Sequence, residues 1–357
     1  MALALRASNA AAVFSPAVID FWLAQINPRW SSTRCLATVD SRRRESRETV
    51  TLVLKPNRRF RGFLPGQHLN LTAVIDGARV TRSYSFSDAH RRDGRVSITV
   101  RHVPGGKLST HLCRHSGVGE VVELGVAFGE MNWSSATGQD WTLLAAGSGI
   151  TPMMSLIRSL EPDLGPRRVQ LLYWARTADD LCFADELRER SRRDPRLRCH
   201  FLLTGEGAGV DQPRGRISPE LLQTLRPDWH SQHVYACGPY GFVETARSML
   251  AGRTSQFRSE AFTPLPAPAG DDREVNVALL RSGRSLRVRC DLPLLDALEA
   301  HGLRPPHGCR MGICNSCACA KTRGVVRDLR SGAADAEPSQ ALRLCSSLAQ
   351  SDLSLDL

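Results

Sequence analysis

Eleven cysteines are spread unevenly through the 357 residues of the chain, and four of them crowd between 309 and 319. In that stretch Cys309, Cys314 and Cys317 stand in C-x4-C-x2-C spacing, and Cys345 follows downstream. Thiolates so placed on a tight loop can reach two irons while backbone N–H groups point at the sulfides, so these four residues are candidate ligands of a [2Fe–2S] cluster. Gly308 and Gly312 supply backbone freedom there, and Ser316 and Ala318 are small enough for the chain to wrap closely. Cys319 is surplus and reads as a buried thiol that does not ligate. A zinc site would prefer two C-x2-C pairs, and only one is present. Inert thiols are the remaining alternative. A disulfide scaffold would be short and cysteine-dense throughout, so a metal site in a reducing cytoplasm fits better.

A second group of residues suits a flavin. Arg82-Ser83-Tyr84-Ser85-Phe86-Ser87 follows a strand-like run. Read as a flavin site, Arg82 neutralises a pyrophosphate, Tyr84 stacks on the isoalloxazine, and Ser85 hydrogen-bonds near N5, the atom that receives hydride. The plain alternative is a strand with alternating polar residues. Gly105-Gly106-Lys107-Leu108-Ser109 favours the flavin, because glycines ahead of a helix N-terminus form an anion site. Pro65-Gly66-Gln67 precedes the strand that would flank the ring.

A third group suits a nicotinamide dinucleotide. Leu143 to Pro152 is an apolar strand running into Gly147-Ser148-Gly149 and then into a helix opened by Thr151-Pro152. The glycines let a pyrophosphate approach the backbone at the helix start. Tyr235-Ala236-Cys237-Gly238-Pro239 ends another apolar run, where Cys237 alone also reads as a core thiol. Arg176 follows the next strand and could meet a 2′-phosphate, with Arg214 and Arg216 in support; each also reads as a solvated surface charge. Glu206 would repel a phosphate, so NADPH and NADH both stay open.

Different elements must position these groups. Runs at 49–56, 67–75 and 96–103, separated by Gly, Pro and Asp turn signals, predict an antiparallel barrel. From about residue 140 strands alternate with helices, the order of a parallel α/β sheet. A proline-rich stretch at 263–272 reads as a linker, and strands with a short helix lead into the cysteine cluster. Ahead of the barrel, Phe14, Val18, Phe21, Trp22 and Gln25 share one face of a helical stretch. Packing of that face on the barrel is expected, and docking to a membrane or a membrane-bound acceptor is the sharper alternative.

Composition sets the outer limits. A hydrophobic share of 42% and a charged share of 23% are those of ordinary globular protein. The net charge of +11 resides in scattered arginines without an aromatic platform, so nucleic acid is not the expected partner; two phosphate-bearing cofactors are. No apolar run approaches the roughly 18 residues of a membrane span. The first residues carry no secretory signal, although Arg6, Ser8 and the alanines would also suit an organelle transit peptide. A cytoplasmic protein is expected, with at most peripheral contact at the inner face of the membrane.

Together, RxYSxS, GGxxS, GxGxTP and CGP resemble the ferredoxin–NADP reductase superfamily, and the C-terminal spacing resembles plant-type ferredoxins. The resemblance implies FAD over FMN, from GGxxS and Ser87. It also implies that Cys237, with Gly238 and Pro239, lies beside the nicotinamide C4 and flavin N5, and that Glu260 in Ser259-Glu260-Ala261-Phe262 lies near the flavin. Gly125-Val126-Ala127-Phe128-Gly129 departs from the family's GPxGxF, which leaves the barrel's last turn open. The implied order is a helical segment (1–34), an FAD-binding barrel (35–135), an NAD(P)-binding α/β domain (136–262), a linker (263–272) and a β-grasp-like α+β ferredoxin domain (273–357). Such a chain passes electrons from NADPH or NADH to FAD, then to [2Fe–2S], then to an acceptor protein. Asp20-Phe21-Trp22-Leu23, Leu54 to Phe63 and Tyr173-Trp174-Ala175-Arg176-Thr177 are similar to bacterial reductases paired with fatty-acid desaturases, which implies a membrane di-iron desaturase as acceptor. A soluble hydroxylase or ring-oxygenating system is the alternative, and a non-catalytic redox sensor is the alternative of another class.

Overall fold

Alternating apolar runs closed by tight turns build the first sheet. Its strands are β1 (Leu36–Ser46), β2 (Thr49–Pro56), β3 (His68–Ile75), β4 (Ala78–Ser85), β5 (Val96–Arg101) and β6 (Val121–Leu124), in the order β4-β3-β6-β1-β2-β5. The computed structural model describes residues 15–133, 138–160, 165–205, 215–225, 228–263 and 270–357. Asp76 and Gly77 join β3 to β4 with φ of 50° and 75°, the positive values that a two-residue hairpin turn requires. Neighbouring strands run antiparallel, and a bridge between Phe86 and Ile98 ties the two edges. The barrel expected from the sequence is thereby closed around Leu52, Leu69, Leu71, Phe86 and Ile98. After β5, Gly105 and Gly106 lead into α2 (Lys107–Thr110), a single turn that continues as one π-helical turn to His115.

The helix ahead of the barrel, α1 (Pro16–Ile26), corrects one expectation. Its aromatic face does not pack on the barrel: Phe21 is 57% exposed, Trp22 64% and Ile26 72%. Asp20 is the residue it buries. The carboxylate accepts hydrogen bonds from Ser31 Oγ, Thr33 Oγ1 and the Ser32 N–H. The helix is thus held by a polar anchor to the loop that follows it, which leaves the apolar side outward. Gln25 is exposed as well, and Phe14 lies outside the described residues.

The second sheet contains β7 (Asp140–Ala146), β8 (Arg168–Ala175), β9 (Leu197–Leu203), β10 (Gln232–Gly238) and β11 (Gln256–Ala261), in the order β11-β10-β7-β8-β9. Strands β10, β7, β8 and β9 are parallel, with α3 (Ile150–Arg158), α4 (Ala184–Arg193), α5 (Pro219–Leu225) and α6 (Tyr240–Leu250) between strands. Every residue of β7 is buried, the pattern of a parallel strand covered on both faces. The strand order reverses between β7 and β10, and such a switch point opens a crevice at the carboxyl ends of the strands. Both dinucleotide motifs lie at those two ends.

The chain forms two compact units, one ending at Glu260 and the other beginning at Ala261. The second unit has a mixed sheet of β12 (Glu274–Leu279), β13 (Arg284–Arg289), β14 (Ala318–Arg323), β17 (Ser339–Arg343) and β19 (Leu353–Leu355), in the order β13-β12-β19-β14-β17. A smaller sheet pairs β15 (Val326–Asp328) with β16 (Ala334–Asp335) and β18 (Ser347–Ala349). Helix α7 (Leu294–Ala300) buries Leu294, Leu295, Ala297 and Leu298 in its core. This is the α+β pattern expected there. Most of the proline-rich stretch, 264–269, lies outside the described residues.

Candidate redox sites

Strand β4 carries the first group, and its register sets each neighbour. Ser85 stands opposite His68, Tyr84 opposite Leu69 and Arg82 opposite Leu71. Ser85 Oγ lies 2.9 Å from His68 Nδ1, and the other ring nitrogen bonds the Glu260 carboxylate. His68 is 2% exposed, so Ser85, His68 and Glu260 form one buried polar chain. Phe128 exchanges backbone hydrogen bonds with His68, which defines the turn left open by the sequence. Gly129, at φ 112°, brings its backbone against the His68 ring. Tyr84 is half-buried, and burial raises its phenol well above the ordinary value. Arg82 is exposed and donates to the Thr81 carbonyl.

Two members of the predicted set make hydrogen bonds to neighbours in the barrel domain. Ser87 is fully buried, and its hydroxyl accepts from Thr99 Oγ1 at 2.7 Å, inside the barrel wall. Ser109 folds back on its own turn: it accepts from the Val103 N–H at 3.2 Å and donates to the Gly106 carbonyl. Gly105 takes φ 75° to make that turn.

At the second sheet the two glycine motifs meet. A Cβ on Gly149 would lie 2.0 Å from the Cys237 carbonyl oxygen, and one on Gly238 would lie 2.9 Å from Ala146 Cβ. The ends of β7 and β10 close on each other only because both positions lack side chains. Thr151 Oγ1 donates to the Ser148 carbonyl at 3.0 Å and pins the turn, with Pro152 buried behind it. The cleft above is lined by Gly147, Ser148, Thr151 and Arg176, and on the barrel side by Thr49, Thr99 and Arg101. Arg176 is held by its backbone, whose carbonyl accepts from the Gly205 N–H at 2.8 Å. Arg216 is exposed, and Arg214 and Glu206 lie outside the described residues. Cys237 is fully buried. Burial first, and then the charge of Glu260, push its thiol far above the ordinary value, so it is a neutral thiol.

The barrel and the second sheet are locked through α3. The Gly66 N–H donates to Ser155 Oγ at 3.2 Å, and Ser155 Oγ donates to the Asp88 carbonyl at 2.6 Å. Arg158 donates to the Ser87 carbonyl and pairs with Glu186 at 2.6 Å. The helix that opens at the nicotinamide motif therefore ends on the residues that follow the flavin motif. Sequence reasoning missed His68, Arg101, Ser155 and Arg158. For His68 a signal existed, a histidine inside an apolar strand beside Pro65-Gly66-Gln67. The other three have no local signal, because their partners are remote in sequence.

In the second unit Cys309, Cys314, Cys317 and Cys345 converge. The N–H groups of Met311, Ile313 and Cys314 point at Cys309 Sγ at 3.3, 3.5 and 3.4 Å. Hydrogen bonds from the thiols of Cys314 and Cys345, and then these amides, pull Cys309 below its ordinary value. Arg310 and Asn315 adopt left-handed φ of 56° and 55°, and Gly312 one of 72°. Cys319 lies on β14 within the apolar core, its thiol pushed up to about 12 by burial. None of the eleven cysteines is in a disulfide. Among the described residues no three His, Cys, Asp or Glu side chains are grouped as a single-ion site.

Comparison with known proteins bears on all three regions. Residues 36–133 match the oxidoreductase FAD-binding domain, 143–248 the oxidoreductase NAD-binding domain and 277–350 the 2Fe-2S iron-sulfur cluster binding domain. An NADPH oxidoreductase of Mycobacterium tuberculosis is 34% identical over 98% of this chain and 91% of its own. The chain belongs to the ferredoxin-reductase type of oxidoreductases. A glycine betaine monooxygenase reductase subunit of Pseudomonas aeruginosa is 29% identical over 82% of this chain and 87% of its own. The solved structure of phthalate dioxygenase reductase is 25% identical, with a TM-score of 0.62 over 91% of this chain and 98% of that one.

Like others of its type, this reductase transfers electrons from NAD(P)H to FAD and then to [2Fe–2S]. Its residues fit those groups. Gly149 and Gly238 leave backbone bare at the cleft, where side chains would collide with the opposite strand end, and a Cβ on Gly147 would meet Arg101 Nη1 at 3.2 Å. In the cluster loop Ser346 Oγ is buried beside Cys345 without a hydrogen-bond partner among the described residues, and a Cβ on Gly312 would sit 2.7 Å from it. Backbone amides already aimed at Cys309 suit a sulfur-ligated cluster. No helix among the described residues is long and apolar enough to cross a membrane.

Proposed function

We propose that this reductase supplies single electrons to an external acceptor protein, a membrane-bound di-iron fatty-acid desaturase. The observation that carries the electron-transfer reading is the meeting of Gly149 and Cys237 at one cleft beside the Ser85–His68–Glu260 chain. When bound, FAD takes a hydride's two electrons together and releases them one at a time. Arg82 neutralises the flavin pyrophosphate, with Gly105, Gly106 and Ser109 shaping the turn beside it. Tyr84 would stack on the ring and Ser85 would hydrogen-bond near its N5, while Ser87 would support them from the barrel wall through its bond with Thr99. Gly147, Gly149, Thr151, Pro152, Gly238 and Pro239 seat the pyridine dinucleotide, and Arg176 with Arg101 pairs its phosphates. Cys237 would pack as a neutral thiol beside the ring of a bound nicotinamide. His68 links the Glu260 carboxylate to Ser85 Oγ by hydrogen bonds and so holds Ser85 in place. Cys309, Cys314, Cys317 and Cys345 ligate the cluster.

The desaturase reading rests on similarity at Asp20 to Leu23, Leu54 to Phe63 and Tyr173 to Thr177, and places the protein in the cytoplasm. A second reading, a soluble oxygenase as acceptor, is supported by the relatives named for glycine betaine monooxygenase and phthalate dioxygenase. Steady-state turnover with NADH and NADPH, using desaturase and oxygenase acceptors side by side, separates them. Turnover with the oxygenase alone would sink the first reading. For the cluster, Ser at any of the four ligand positions should abolish the EPR signal of the reduced protein and spare ferricyanide reduction, whereas Cys319→Ser should keep the signal. Loss of the signal in Cys319→Ser would overturn the ligand set.

A further inference from the structure

Helix α1 presents an apolar surface that the fold leaves uncovered. Ile26 is exposed one helical turn on from Trp22, and Trp30, in the loop that follows, is 47% exposed. Phe21 and Trp22 meet edge to face at 5.4 Å, so the two rings form one exposed aromatic step. Helical spacing puts Trp22 and Ile26 on the side away from Asp20, whose carboxylate holds the helix to Ser31, Ser32 and Thr33. Burial pushes that carboxyl up, but these hydrogen bonds outweigh it and hold it well below the usual range. The anchor therefore stays ionised and intact at neutral pH.

The ground around this helix is basic. Asn57 Nδ2 donates to the carbonyls of Arg29 and Arg34 at 3.0 Å each, and Arg59 Nε donates to the Ser31 carbonyl at 3.1 Å. These bonds make α1, its following loop and the segment after β2 one block. Lys55 at the end of β2 and Arg58, Arg59 and Arg61 on that segment are exposed, and none has an ion-pair partner among the described residues. Carboxylates of the same region are engaged: Asp20 within its anchor, Glu123 with Arg79 at 3.1 Å and Arg34 at 3.9 Å, and Asp40, which feels the charge of Lys55, with Arg95 at 2.8 Å.

We infer that this block is a docking surface for an anionic lipid bilayer, with the aromatic residues entering the headgroup boundary and the arginines meeting lipid phosphates. Tryptophan and phenylalanine beside lysine and arginine suit that boundary, and cations without ion-pair partners among the described residues complement a negative leaflet. An acidic protein partner would use the arginines but leave the aromatic step without its solvent. The inference deepens the reading of a membrane-bound acceptor and is tested without any acceptor, so the two can fail separately.

The test is sedimentation of the full-length holoprotein with vesicles of equal parts phosphatidylglycerol and phosphatidylcholine, against phosphatidylcholine alone. The protein should pellet with the anionic vesicles and be released by high salt, since salt screens exposed charges. Phe21→Ser with Trp22→Ser, and separately Arg58→Glu with Arg61→Glu, should each weaken vesicle binding at least about tenfold. Both double variants should keep wild-type FAD content and ferricyanide reduction, which shows that the core is folded. Failure of the wild type to bind, or wild-type binding by either folded double variant, overturns the inference. Loss of acceptor turnover in the variants, without vesicle binding by the wild type, would assign the face to a protein and overturn it as well.

Discussion

The nicotinamide turn and the cluster loop both bring main chain close to the space a cofactor needs, and they do so with opposite residues. At the turn, Gly149 and Gly238 let two strand ends close where any side chain would collide. In the loop, Arg310 and Asn315 take left-handed φ as non-glycine residues. Their side chains hold them there: Arg310 Nη1 donates to Asp296 Oδ1 at 3.0 Å, and Asn315 Oδ1 accepts from Arg343 Nε at 2.8 Å. The turn depends on absent atoms, whereas the loop, Gly312 apart, is held at Arg310 and Asn315 by added bonds. The first should therefore tolerate no substitution, and the second should be adjustable.

Gly149→Ala is the most severe break in that comparison. Its Cβ would lie 2.0 Å from the Cys237 carbonyl oxygen, so the end of β7 or β10 must move. A displacement near 1 Å at a reacting pair costs on the order of a hundredfold in rate. Flavin reduction by NAD(P)H in stopped flow should slow by about that factor, with FAD still bound because the barrel is untouched. A wild-type rate would mean that the strand ends can part at no cost, and the contrast with the loop would fall.

How the two regions could be read from sequence follows the same division. Glycines needed for close approach leave local patterns, so the turn at Gly147 to Thr151 and the closed barrel with its neighbouring parallel sheet were legible as motifs and periodicity. The C-x4-C-x2-C spacing was legible for the same reason. Long-range side-chain bonds leave no such trace. Nothing near Arg158 announces Ser87, and nothing near His68 announces Glu260, 192 residues away. The outward face of α1 was misjudged because an apolar helix face normally finds a core. Here one buried carboxylate, Asp20, supplies the attachment and leaves that face outside.

Glu186 tests the nicotinamide side at lower cost. It pairs with Arg158, which carries the end of α3 to the Ser87 carbonyl. Burial raises the Glu186 carboxyl, but Arg158 and then Arg190 bring it down to about 2. A carboxyl depressed in the folded state adds stability that is fully present above its unfolded value near 4.5. That stability fades as pH falls toward 2. Glu186→Gln should therefore lower stability by about 1–3 kcal/mol at neutral pH in urea titrations. The gap from wild type should close as the pH drops between those two values. A gap that persists at the acid end would show that Glu186 acts through packing and not through its charge.

The smallest expected effect is at Asn315, and it sharpens the claim that the cluster loop is adjustable. Three terms compete in Asn315→Gly. Glycine adopts φ 55° without steric cost, but asparagine already tolerates that region, so little is gained. The hydrogen bond from Arg343 is lost, at about 1 kcal/mol. The unfolded chain gains freedom, at a further 0.4–1 kcal/mol or roughly so. The net is a loss of about 1.5 kcal/mol in chemical denaturation, with the EPR signal of the reduced cluster unchanged. Asn315→Val loses the same bond and also forces a β-branched residue into the left-handed region. It should destabilise the unit more than Asn315→Gly and reduce cluster content. Equal losses in the two variants would show that the loop is held by the Arg343 bond alone, and that the left-handed conformation of Asn315 places no demand on its side chain.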